Sequence, residues 1–196
     1  MSADNTDKPQ GPGRPRCIEC QYAVQKAALE ILAERGYKGV TLQRIAQRAG
    51  VGRQTLYRWW NSKAEIVLEA FAEKAGEDIP TPDTGSVRQD LTLLIKASGR
   101  TLETGSAPTV LGLLAEALLD RDFAHKFWEH FQEKRREVLK SILAKGIERG
   151  ELPPDLDKEF WADIVFGSLL YRLYTRNAPI DETFGQDLAA LLPVIG

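Results

Sequence analysis

Residues 41 to 63, TLQRIAQRAGVGRQTLYRWWNSK, constrain what this chain can fold into more than any other stretch. Leu42, Ile45, Ala46 and Ala49 recur at i, i+3, i+4 and i+7, the spacing of one buried face over about two helical turns. Thr41 stands directly before them, where its hydroxyl can accept from the free amides of the first turn. Gly50 breaks the pattern, and Val51 supplies an apolar peg. A second helix is predicted to start near Gly52, with Arg53, Gln54, Thr55, Tyr57 and Arg58 pointing outward and Leu56 and Trp60 pointing in. Two short helices around a tight turn form the geometry that lays the second helix in the major groove of duplex DNA. Arginine there matches guanine O6 and N7, and glutamine matches adenine N6 and N7.

The charge distribution agrees with that reading, although the total does not. Over the whole chain the net charge is −2. Residues 11 to 63, however, hold ten Lys/Arg against three Glu, and residues 64 to 196 hold 15 Lys/Arg against 23 Asp/Glu. A basic head on an acidic body is the asymmetry of a protein that meets phosphate with one end only. The hydrophobic fraction of 43% is enough for a packed core. No run of 18 apolar residues is present, and the polar, Pro/Gly-rich N-terminus has no apolar h-region. The expectation is a cytoplasmic protein with no membrane partner.

Residues 1 to 16 lack periodicity and are expected to be a disordered basic arm. Gly13-Arg14-Pro15-Arg16 has the composition of a segment that enters a minor groove, though a solubilising tail would read the same. Cys17 and Cys20 form a Cys-x-x-Cys pair without the further ligands zinc would need, so no metal site is expected. Inert thiols are the simplest account, and a redox-sensitive pair at a helix N-terminus is the alternative. A first helix is predicted over 19–35, with Val24, Ala28, Ile31 and Leu32 buried and Gly36 as its stop. Ser62 to Glu65 is a Ser-x-x-Glu capping box, so a fourth helix runs from there to about Gly76. Lys63 then stands at a helix N-terminus suited to phosphate. These boundaries divide the chain into an arm (1–16), a helix-turn-helix domain (17–61) and a larger domain (62–196).

After a linker loop over 77–86, helical patterns cover 87–103, 108–119, 122–149, 156–176 and 181–192. The segment 108–119 is almost wholly apolar and is expected to be buried on all sides. Lys134-Arg135-Arg136, balanced by Glu129, Glu133 and Glu137, reads as a solvated face. No segment shows strand alternation of useful length, so the fold class is all-α, with about nine helices. No Gly-rich phosphate loop, Gly-x-Ser-x-Gly elbow or His-Glu-x-x-His motif occurs, which argues against an enzyme and gives no reason to expect a cofactor. His125 and His130 are five apart, on different helix faces.

The last two patterns bear on assembly. Phe160, Trp161, Ile164, Val165, Leu169, Leu170 and Leu173 cover a wider apolar arc than a surface helix needs, and Gly167 and Ser168 leave room for another backbone. Phe184, Leu188, Leu191 and Leu192 offer a partner stripe.

The stretch from Gly36 onward resembles the DNA-binding domain of TetR-type (tetracycline-repressor-like) regulators. The matching features are Gly-Tyr-x-Gly-Val-Thr (Gly36 to Thr41), Ile-Ala-x-x-Ala-Gly-Val (Ile45 to Val51), Thr-Leu-Tyr (Thr55 to Tyr57), the aromatic pair Trp59-Trp60, and Lys63 opening the next helix. The motif match covers roughly residues 20 to 71, and beyond it only length and helical pattern agree. Trp59-Trp60 departs from the commoner His or Tyr followed by Phe, and Trp60 suits the Phe role in the core.

The resemblance implies a homodimeric, ligand-responsive transcriptional regulator, most often a repressor, bound to a palindromic operator in double-stranded DNA. By positional match, Gln43, Arg53, Gln54 and Arg58 are expected near base edges, and Thr41, Arg44, Thr55, Tyr57, Trp59 and Lys63 at phosphates. The expected dimer interface lies on the last two helices and includes Phe160, Ile164, Gly167, Leu170, Leu188 and Leu191. A small-molecule effector is expected inside the larger domain, with Leu114, Phe127, Trp128, Phe131, Phe166 and Tyr171 as candidate lining. Two other readings stay open at this point. One is a helical ligand-binding or interaction protein without specific DNA readout, and the other is a thiol-operated regulator using Cys17 and Cys20.

Overall fold

A computed structural model describes residues 18–77 and 81–195, and every regular element among them is helical. The expected arm, Cys17 and part of the linker lie outside the described residues. The head consists of α1 (Ile18–Gly39), α2 (Leu42–Ala49) and α3 (Arg53–Trp59), and α4 (Lys63–Glu77) leads away from it. Gly36, at φ 64° and ψ 178°, breaks the helical run of α1 at the predicted stop. The Thr41 hydroxyl accepts from the Arg44 amide at 3.2 Å and starts α2. Gly50 ends α2 at φ 68°, a left-handed conformation in which a side chain would be strained. The capping box also forms: Ser62 Oγ accepts from the Glu65 amide at 3.3 Å, and Glu65 Oε2 accepts from the Asn61 amide at 2.7 Å.

The body contains α5 (Val87–Thr101), α6 (Ala107–Leu119), α7 (Arg121–Phe127), α8 (Glu133–Glu148), α9 (Lys158–Thr175) and α10 (Glu182–Ala190). Two π-helical segments, Leu102–Ser106 and Trp128–Gln132, connect α5 to α6 and α7 to α8. Counted with those segments as continuations, the described residues make eight helices where the sequence suggests about nine. Asp157 and Asp181 cap α9 and α10 by accepting from the Phe160 and Phe184 amides, both at 3.0 Å.

Apolar burial divides into two clusters. The first joins the head (Val24, Ile31, Ile45, Leu56, Trp60) to α4 (Ile66, Val67, Leu68, Phe71), to α6 and α7, and to Phe131 and Leu173. The second is built from α5, α8, α9 and α10, with Leu91, Ile95, Leu139, Ile142, Leu143 and Val165 at its centre. The first cluster therefore continues across residue 61, from the head into α4, α6 and α7.

Three expectations change. The α6 segment is not buried all round: Val110 and Leu113 are buried, but Leu118 and Leu119 are 78% and 88% exposed. Part of the presumed linker is tied down, because the Thr84 amide and hydroxyl both donate to Asp90 Oδ1 and Asp83 pairs with Lys145 at 2.7 Å. Finally, α10 lies along α5 and spends its apolar stripe there. Phe184, Leu188 and Leu192 are buried within the chain, and a Cβ on Gly185 would stand 2.9 Å from the Thr92 backbone. Leu188 is thus core, not free surface, while Leu191 is 65% exposed.

Candidate nucleic-acid interface

Helix α3 is short, and its orientation is set by what it buries. Leu56 and Trp60 are sealed inside the first cluster, and Trp59 meets the edge of Trp60 with ring centroids 5.8 Å apart. That anchoring leaves Arg53, Gln54, Tyr57 and Arg58 exposed, with Thr55 and Trp59 half-buried beside them. On α2, Gln43 and Arg44 are exposed, and Arg44 Nη1 donates to the Gly39 carbonyl at 2.7 Å. Arg48, by contrast, is taken up by Glu34 through paired bonds of 2.7 and 2.8 Å, which fasten α2 to α1. The outward residues therefore form one surface on a braced head, the arrangement that a helix entering a major groove requires.

Lys63 sits at the first position of α4, as expected, but its ammonium also stacks on the Tyr37 ring at 4.5 Å. Tyr37 is the seam between head and body. Its hydroxyl donates to Glu116 on α6 at 3.3 Å, and burial together with the nearby carboxylate pushes its pKa up. Gly112 makes this approach possible, since a Cβ there would lie 2.3 Å from the ring. A second tie crosses nearby, where Lys126 on α7 pairs with Glu65 at 2.5 Å. Burial acts against the Glu65 charge, but Lys126 and the Asn61 amide outweigh it and hold the carboxyl below its usual range. The capping residue of α4 is thus clamped to the body.

Between the two apolar clusters lies a cavity of about 90 Å³. Phe71, Val110, Phe131 and Leu173 face it from the first cluster, and Leu94 and Leu169 from the second. Both π-helical segments contribute to its wall, Leu102 and Ser106 from one and Phe131 and Gln132 from the other. Such segments recur where a helix is distorted to make room for function. Of the sequence candidates, Phe131 and Phe166 line this cavity. Leu114, Phe127 and Trp128 instead border a separate, open recess with Phe166, and Tyr171 is 52% exposed on the outer side of α9. The lining residues Phe71, Leu169 and Arg135 were not anticipated, nor was the small-residue wall of Ala97 and Ser98. The run Ala97-Ser98-Gly99 inside an apolar helix was the signal for that wall.

The cluster expected as a solvated face is one only in part: Glu129, Glu133, Lys134 and Glu137 are exposed, but Arg135 and Arg136 are not. Arg136 is 7% exposed and bonds Asp163 at 2.6 Å and Glu159 at 2.7 Å. Burial opposes its charge, but those carboxylates outweigh it and raise its pKa. Arg135 turns into the cavity wall. The charges on α8 read as a balanced exposed row only because the helix partners that claim Arg136 come from 23 and 27 residues further on.

Helix α9 carries Phe160, Ile164, Gly167, Tyr171 and Tyr174 at alternating steps of four and three, which places them in one stripe along its outer side. Phe160, Tyr171 and Tyr174 are each more than half exposed, and Gly167 has nothing within 4 Å of an added Cβ. Leu170 is half-buried and turns toward the cavity. Among the described residues no helix is long and apolar enough to cross a membrane.

Comparison with known proteins agrees with this geometry. Residues 25–70 match the family model described as "Bacterial regulatory proteins, tetR family", and residues 81–192 match "Tetracyclin repressor-like, C-terminal domain". The uncharacterised HTH-type transcriptional regulator YdeS of Bacillus subtilis is 34% identical over 176 residues, 90% of this chain and 89% of that protein. The DNA-binding transcriptional repressor TetR of Mycobacteroides abscessus is 28% identical over 166 residues, covering 83% of this chain and 85% of the repressor. The crystal structure of the TetR family transcription regulator SCO0332 superposes with a TM-score of 0.75 at 29% identity, over 88% of this chain and 95% of that one. With a helix-turn-helix head, a helical body and family matches over both, this chain belongs to the TetR family of transcriptional regulators.

Proposed function

We propose that the protein works as a homodimeric repressor that reads a palindromic operator through α3 and lets go when a small effector enters the cavity between its two apolar clusters. The carrying observation is that one side of the cavity wall and the core of the head belong to the same packed cluster. Phe71 and Phe131 stack at 5.6 Å on the cavity side, and the same cluster continues through α4 to Trp60 under the reading helix. An occupant that parts the clusters moves α4 and the head with it. A preference of about 1–3 kcal/mol for the parted state suffices for regulation.

Pairing through the outer stripe of α9, helped by Leu191, sets the two reading helices about one turn of DNA apart. Ile164→Glu is expected to convert the dimer to a monomer, seen by sedimentation, and to abolish tight operator binding. A dimer that survives this change would move the interface elsewhere.

The experiment that tests the reading is a gel shift on DNA upstream of the protein's own gene, with an unrelated duplex as competitor. Arg53→Ala or Arg58→Ala is expected to cost about 1–3 kcal/mol and to relax sequence preference. Lys63→Ala should weaken all duplexes alike and flatten the salt dependence. If the arginine and lysine variants behaved identically, the division between base and phosphate contacts would be wrong.

A further inference from the structure

Within the cavity wall, Arg135 stands among Leu94, Phe166, Leu169 and Leu173. Its guanidinium lies 3.6 Å from the centroid of the Phe131 ring, and Nη1 donates to the Phe131 carbonyl at 3.0 Å. A guanidinium offers five N–H donors, so those contacts leave most of its capacity unspent. Arg136, its neighbour in sequence, holds two carboxylates, whereas among the described residues none pairs with Arg135. Burial pushes its pKa down to about 10, which leaves it cationic at neutral pH but poorly solvated.

The other polar groups nearby do not supply a counter-charge. The hydroxyls of Ser98, Thr101 and Ser106 donate to helix carbonyls, at 2.8, 3.1 and 2.5 Å. The donors that remain in this apolar cavity are Arg135 and the Gln132 amide. Arg135 is half-buried, and a cation set against apolar side chains gains from an anion placed beside it; a planar carboxylate fits the guanidinium fork with two parallel bonds.

We propose that the effector is an amphipathic anion, a slim apolar body bearing a carboxylate that pairs with Arg135. This inference rests on the cavity being the effector site. The cavity, at about 90 Å³, is smaller than the hole of about 150 Å³ that takes up benzene in another protein, so the body is a single chain or ring and its entry widens the seam.

The test compares three probes of equal chain length, octanoate, 1-octanol and octyltrimethylammonium, by calorimetric titration and by their effect on the gel shift. Octanoate is expected to bind at least about tenfold more tightly than either of the others and to release DNA. Arg135→Gln should remove that advantage while leaving the apo-protein folded and DNA-bound, and Arg135→Lys should restore part of it. Leu169→Trp, which fills the cavity, should block all three probes. If octanoate bound no better than octanol in the parent protein, or equally well in Arg135→Gln, the anion assignment would be overturned with the cavity reading intact. Binding that persists in Leu169→Trp would place the site elsewhere and overturn the cavity reading itself, and no binding by any probe overturns the proposal.

Discussion

Alanine in place of Trp60 is expected to destabilise the protein by about 3–5 kcal/mol and to abolish DNA binding at every salt concentration. The side chain is 1% exposed and is among the largest fully buried in the chain. It closes α3, since the Trp60 amide donates to the Leu56 carbonyl at 2.9 Å, and its ring fixes the neighbouring Trp59 edge-on. With α2 and α3 only eight and seven residues long, the head has little other apolar mass near α3 with which to refill the hole, so the outward residues would lose their common platform. A domain commonly holds only about 5–15 kcal/mol in total, and the loss would be a large share of it. Urea titration followed by circular dichroism measures the change. Because the cluster runs on through α4, α6 and α7, the transition is expected to shift as a whole. Trp60→Phe, which keeps an apolar ring, should retain most of the binding. A W60A protein with parental stability and parental gel shift would show that α3 is held by something other than its core.

The contrast between Trp60 and Arg135 shows what could be read without coordinates. The head was legible because its logic is local: apolar residues at i, i+3 and i+4, a capping threonine, a left-handed glycine and an outward donor row all lie within 23 residues. The placement of Arg53, Gln54, Tyr57 and Arg58 on the free side of α3 follows from that periodicity. Arg135 and Arg136 were misread because their environment is not local. Whether a cation on α8 faces water, a carboxylate on α9 or an apolar cavity depends on how α5, α8 and α9 pack, and no spacing within α8 encodes it. The same holds for α10, where Phe184, Leu188 and Leu192 make a good amphipathic stripe. Periodicity says that the stripe is buried but not whether by α5 of the same chain or by a second copy. The glycines decide it, since Gly185 admits the α5 backbone and Gly167 faces open space.

Gly99→Ala is the substitution expected to separate those two halves of the body. A Cβ at this position would stand 1.6 Å from the Ile180 carbonyl oxygen and 2.8 Å from its carbon. Both atoms are backbone of Ile180, in the turn between α9 and α10 that lies against the last turn of α5, so no rotamer change relieves the overlap. Helix propensity favours alanine over glycine by about 1 kcal/mol, yet the clash requires the turn to move away by more than an ångström. The net cost is expected to be about 3 kcal/mol or more, at the upper end of what overpacking produces. Moving that turn lifts α10 from α5, exposes Leu188, and shifts the wall formed by Ala97, Ser98 and Thr101. The variant should therefore lose thermal stability, dimer and probe binding together, while its isolated head contacts with DNA stay chemically intact. Gly167→Ala provides the control: its Cβ meets nothing within 4 Å in the single chain, so its monomeric fold should be unharmed and only dimer affinity should fall. If Gly99→Ala melted with the parent and Gly167→Ala did not, the assignment of one glycine to the core and the other to the outer face would be reversed.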